Sequence, residues 1–88
     1  MTSVVFSVLA EIEWKFEGDD DVNWIFLVQH AAFVHKEACE FLLHVGTDKD
    51  RYWANVERKM RECECTDDFI AAYLEAKDAG ALRVMFWS

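Results

Sequence analysis

Residues 4–17 alternate without a break. Val4, Phe6, Val8, Ala10, Ile12, Trp14 and Phe16 fall on one side of an extended chain, and Val5, Ser7, Leu9, Glu11, Glu13, Lys15 and Glu17 on the other. A period of two, enriched in β-branched and aromatic residues, predicts a long strand with one greasy face. Its opposite face is mixed at first and wholly charged from Glu11 onward. A helix through Val5, Leu9, Ile12 and Phe16 would leave Phe6 and Trp14 unexplained, so the segment is read as extended.

Gly18-Asp19-Asp20-Asp21 follows as a turn, since glycine permits positive φ and aspartate favours turns and helix starts. Across residues 22–45 the apolar positions Trp24, Leu27, Val28, Ala31, Val34, Ala38, Phe41, Leu42 and Val45 recur every three or four residues, which predicts a helix. Residues 24–28 are apolar all round and also fit a second strand, paired with the first. The part beyond His30 is read as helical, closed by Gly46.

Thr47, with Asp48 and Asp50 behind it, predicts the start of a second helix. Trp53, Val56, Met60 and Cys63 supply its stripe, and Glu57–Arg61 and Arg58–Glu62 its exposed pairs. Thr66, Asp67 and Asp68 open a third helix that buries Phe69, Ile70, Tyr73, Leu74 and Ala76 and stops at Gly80. Residues 81–87 alternate again and predict a strand beside the first. The expected class is α+β, in the order β(β)αααβ. A small antiparallel sheet, made of the N-terminal strand or hairpin plus the closing strand, carries three helices on one face. Residues 1–88 form one compact domain.

Composition supports a core without staples. Of the 88 residues, 53% are apolar and 15% aromatic, enough to leave some large side chains at the surface. Three cysteines, two of them at 63 and 65, do not make a disulfide framework. Reduced thiols, an opening that does not read as a signal peptide and the lack of a long apolar run predict a cytoplasmic chain. The net charge of −8 comes from 17 acids against 9 bases. It disfavours direct nucleic-acid binding and anionic membranes, because no basic stripe exists to meet phosphate.

Chemistry-bearing clusters are few. His35 and Cys39 would share a helix face and, with Cys63 and Cys65, supply four zinc ligands, but Cys-x-Cys is tighter than zinc sites use. Glu37, Glu40 and His44 would lie near one another on the same helix, which a solvated face explains equally well. With no nucleophile elbow, phosphate loop or dinucleotide fingerprint, the expectation is no enzyme, no metal and no cofactor.

What remains distinctive is the acidic run Glu11, Glu13, Glu17, Asp19, Asp20 and Asp21, opposed within residues 11–21 by Lys15 alone. On a strand, alternate carboxylates stand roughly 6.6 Å apart, a spacing comparable to successive phosphates. Charges on an exposed strand also simply discourage aggregation. The run, with Trp24 and Trp87 as aromatic anchors, is the candidate face for a basic protein partner.

In size, charge and lack of catalytic motifs the chain resembles the small proteins that phages carry against host defence, anti-CRISPR proteins among them. That resemblance implies a non-enzymatic inhibitor or adaptor that blocks a nucleic-acid-binding partner. The rival readings are a homodimer built on residues 24–28 or 81–87 and, further off, a small enzyme or zinc-binding domain.

Overall fold

A computed structural model describes residues 9–45 and 55–88. Along the chain come β1 (Leu9–Glu13), α1 (Val22–His30), β2 (Phe33–His35), β3 (Glu40–His44), α2 (Val56–Glu62), α3 (Asp67–Asp78) and β4 (Arg83–Trp87). The four strands form one sheet in the order β1-β4-β3-β2. The α+β class and the small sheet with three helices stand as the sequence predicts. No helix among the described residues is long and apolar enough to cross a membrane.

The alternation of the opening segment survives intact over its described part. From Leu9 to Glu17 every second residue is exposed, while Ala10, Ile12, Trp14 and Phe16 turn toward the core. Regular pairing ends at Glu13, short of the expected Glu17, although the Trp14 amide still donates to the Trp87 carbonyl at 2.8 Å. Residues 4–8 of the predicted strand, and Gly46, Thr47, Asp48, Asp50 and Trp53 of the predicted helix junction, lie outside the described residues.

The sheet is mixed, not antiparallel as expected. β4 does lie beside β1, as its apolar alternation requires, but runs parallel to it, from Leu9 opposite Arg83 to Glu13 opposite Trp87. On its other side β4 pairs antiparallel with β3. Register then fixes two faces. Ala10, Ile12, Val84, Phe86, Phe41, Leu43 and Val34 point one way, and among them Val84, Phe86, Phe41 and Leu43 are wholly buried. The helices supply Phe26, Leu27, Val56, Met60, Phe69, Ile70, Tyr73 and Ala76 to the same core.

The largest correction concerns residues 31–45, which are a hairpin and not the second half of a long helix. Ala31 makes the last helical bond, to Leu27, and then turns extended at ψ 148°. The apolar positions that suggest a helix also fit a two-residue period: Phe41 and Leu43 point inward, and Glu40, Leu42 and His44 outward. The connecting turn, Lys36 to Cys39, contains no glycine, proline or asparagine. It closes because Cys39 adopts a positive φ of 54°. Conversely, the ambiguous residues 24–28 are helical, with Asn23, Phe26 and Leu27 buried at the spacing of one helix face.

α2 and α3 match expectation closely within the described residues. Val56 and Met60 are buried, and Arg61–Glu57 and Arg58–Glu62 pair at 3.0 and 3.3 Å. α3 starts after Thr66 and buries Phe69, Ile70, Tyr73 and Ala76. Both helices end in the same Schellman arrangement. Cys65 donates to Met60 and Glu64 to Arg61; Ala81 donates to Ala76 and Gly80 to Lys77. The left-handed position is Gly80 in one case and Glu64, at φ 61°, in the other.

Candidate functional site: an acidic cleft

The extended chain after β1 places its acids by anchoring the residues between them. Trp14 sets its ring edge-on against Phe69 at 5.3 Å, and Phe16 packs edge-on against Phe41 at 5.6 Å. With those two rings turned inward, Glu13, Lys15 and Glu17 must face solvent. Such aromatic pairs contribute about 0.5–1.5 kcal/mol each beyond burial, so the outward direction of the carboxylates is well fixed.

The loop that follows is tied down by Asp21. Its carboxylate accepts from the Glu17 amide at 3.0 Å and, as the N-cap of α1, from the Asn23 and Trp24 amides at 2.8 and 3.4 Å. Gly18, at φ 148°, supplies the bend, and the Asp21 amide closes the turn on the Gly18 carbonyl at 3.2 Å. Asp21 therefore holds the loop as well as adding charge.

Asn23 then reaches across to the start of α3. It is 4% exposed, and its amide is satisfied on both sides by one residue. Nδ2 donates to the Thr66 hydroxyl at 3.0 Å, and Oδ1 accepts from the Thr66 backbone N–H at 3.1 Å. The Thr66 hydroxyl also holds the Asp68 carboxyl below its ordinary value of 3.8, helped by the Phe69 N–H, whose bond to Asp68 is 2.9 Å. Asp68 stays charged at any physiological pH.

These contacts frame a cleft of about 590 Å³ lined by Glu13, Trp14, Lys15, Glu17, Asp20, Asp21, Val22, Asn23, Thr66 and Asp68. Five of the lining residues carry carboxylates and one, Lys15, carries a positive charge. The arginines of α2 are engaged with Glu57 and Glu62 on their own helix. The cleft is suited to a cationic group, with Trp14 and Val22 providing a little apolar wall.

The predicted site residues are thus distributed. Glu13, Glu17, Asp20 and Asp21 meet in the cleft. Glu11 stands on the outer face of the sheet, opposite Met85 in register. Asp19 lines a separate hollow with Trp24, Ile25, Val28, Gln29 and Lys36. Trp24 is half-buried, its ring 5.0 Å from Phe41 and 5.5 Å from Phe16, so most of it belongs to the core. Trp87, 36% exposed, stands on the outer face between Glu13 and Glu40 in register. Asn23, Thr66 and Asp68 escaped the sequence reading because a 43-residue separation joins them only through the tertiary fold.

The expected histidine and cysteine groupings dissolve with the long helix. His35 lies in β2 and Cys39 in the turn, on no shared helix face. Glu40 and His44 sit at opposite ends of β3, with Glu37 in the turn before it. Observed instead are His35 Nδ1 to Glu40 Oε1 at 3.9 Å and Cys63 Sγ to His30 Nε2 at 3.9 Å. Among the described residues, no three His, Cys, Asp or Glu side chains gather so that they could hold a metal ion. Comparison with known protein families, curated proteins and solved structures returns no match.

Proposed function

We propose that this chain is a non-enzymatic protein-binding inhibitor or adaptor that docks a basic surface of its partner into the acidic cleft. The observation that carries this reading is the convergence of Glu13, Glu17, Asp20, Asp21 and Asp68 on one concavity, with Lys15 as its cation. Glu13, Glu17 and Asp20 are exposed on its walls, while the Asp21 carboxylate is held by the amides of Glu17, Asn23 and Trp24. A basic surface approaching it meets a concentration of negative charge, which speeds encounter and selects against acidic partners. Where the partner's basic surface is a nucleic-acid groove, occupation by this protein excludes the nucleic acid. That is the mode implied by the resemblance to phage anti-defence proteins.

The test is capture of a partner from the source cell at low salt, repeated at rising ionic strength. Capture weakens steeply with salt when the cleft carries it. The variant E13K/E17K/D20K spares the Asp21 cap and should keep the native circular dichroism spectrum while losing the partner. Undiminished capture by that variant refutes the reading.

A second reading, self-association, is favoured by the outer face of the sheet. There Phe33 is 50% exposed and Trp87 36% exposed, with Leu42 and Met85 between them. β4 lies inside the sheet with both edges taken, so this face, and not strand pairing through residues 81–87, is where two copies would meet. Light scattering on a sizing column separates the two readings; a monomer at all concentrations removes the second.

A further inference from the structure

β1 is an edge strand. Among the described residues its strand partner is β4, and its other edge is unpaired. Three features recur along that edge in step with the strand's own period. Beneath it, Ala10 and Ile12 are only half-buried, whereas their register neighbours Val84 and Phe86 are sealed. The gap arises because α3 presents alanines there: an apolar groove of about 280 Å³ runs between β1 and α3, lined by Ala10, Ile12, Ala72, Glu75, Ala76 and Ala79. Above it, Glu11 and Glu13 are exposed, and their register neighbours Met85 and Trp87 carry no charge. Between groove and carboxylates lies a row of backbone groups of the kind that templates another strand.

We infer that this edge accepts, as a fifth strand, an extended segment of a partner protein in which apolar side chains alternate with lysine or arginine. The apolar residues fill the groove beside Ala10 and Ile12, the cations stand across from Glu11 and Glu13, and the backbone pairs with β1. The inference rests on the reading that the chain binds a basic protein, and adds the mode and the pattern recognised. A second copy is the poorer occupant. Full antiparallel pairing of two β1 strands sets Glu11 against its own counterpart, and like charges directly opposite repel.

The experiment measures binding of short labelled peptides to the full chain by fluorescence anisotropy at low salt. One peptide alternates Val and Lys, a second has the same composition with the valines and lysines in separate blocks, and two more carry backbone N-methyl groups on alternate residues in either phase. Expected are binding of the alternating peptide, a loss of about tenfold or more for the block peptide, and a similar loss for one methylated phase. Ala72→Leu, which fills the groove from a half-buried position, should weaken the alternating peptide to a similar extent while the unfolding midpoint is kept. Equal binding of all four peptides overturns strand addition. If poly-lysine still binds in a salt-sensitive way, the acidic-surface reading survives that result; if poly-lysine fails too, both fall. A chain that binds none of the four peptides, whether it runs as a monomer or as a dimer whose size excess peptide leaves unchanged, also overturns the proposal.

Discussion

Replacing Asn23 with alanine removes the clamp that joins α1 to the head of α3. Two hydrogen bonds, at 3.0 and 3.1 Å, are lost together from a side chain 4% exposed. Each contributes about 0.5–1.5 kcal/mol net, and the stranded Thr66 N–H adds less than the full penalty of a buried donor because Thr66 itself is exposed. Alanine's better helix propensity returns about 0.5 kcal/mol. The expected loss is therefore about 2 kcal/mol, or a fall in melting temperature of roughly 8–16 °C for a domain of this size. Thr66→Ala keeps the backbone bond to Oδ1 but strands the buried Asn23 Nδ2, and should cost about 1–2 kcal/mol. Because both changes break the same Nδ2–hydroxyl bond, the double variant should cost about 1 kcal/mol less than the sum of the singles. Urea unfolding followed by tryptophan fluorescence measures all three. Strict additivity, or an Asn23→Ala loss below about 0.5 kcal/mol, would show that the clamp does not hold the cleft wall.

The remaining predictions use the same physical terms. Glu64 occupies the left-handed position that Gly80 fills in the matching motif, so Glu64→Gly should stabilise by about 1 kcal/mol in chemical denaturation. Gly80→Ala should destabilise by about 1 kcal/mol through its backbone alone, since an added Cβ would meet nothing within 4 Å. Burial, assisted by the charges of Cys63 and Asp21, pushes the Cys65 thiol up to about 12, so iodoacetamide at pH 8 should label Cys39 and Cys63 before Cys65, as mass spectrometry will show. Burial, then the Glu57 charge, also pushes the Tyr73 hydroxyl up to about 12. Both folded values lie above the ordinary 9.0 and 10.0, so their contribution to stability is full below about pH 9 and is lost as pH rises toward 12. Tyr73→Phe should flatten the upper part of that alkaline fall in the urea midpoint.

Much of this architecture was legible because it obeys a single period. The inward set Ala10, Ile12, Trp14 and Phe16, the closing strand beside it and the buried stripe of α3 each follow one rule without competition. The hairpin of β2 and β3 was hidden for two physical reasons. Leu42 is apolar but faces outward, which blurs the alternation of Phe41 and Leu43 into a helical rhythm. The turn at Cys39 is made by tertiary constraint, including the Ser88 amide bonded to the Cys39 carbonyl at 3.1 Å, and not by any residue that favours turns. The cleft was half legible: the acids of residues 13–21 are local, whereas Asp68 reaches them through the tertiary contacts Asn23–Thr66 and Trp14–Phe69.

The position of β4 governs how the molecule must assemble. It is the wedge between β1 and the β2–β3 hairpin, which do not touch edge to edge without it. Until residues 83–87 arrive, the two flanks have no ladder in common, and their greasy sides cannot be sealed by one another. The β2–β3 hairpin is local, but completing the sheet joins segments more than 70 positions apart along the chain, a distant closure of the kind that slows folding. A nascent chain halted before residue 83 would expose both flanks and depend on chaperones for its safety.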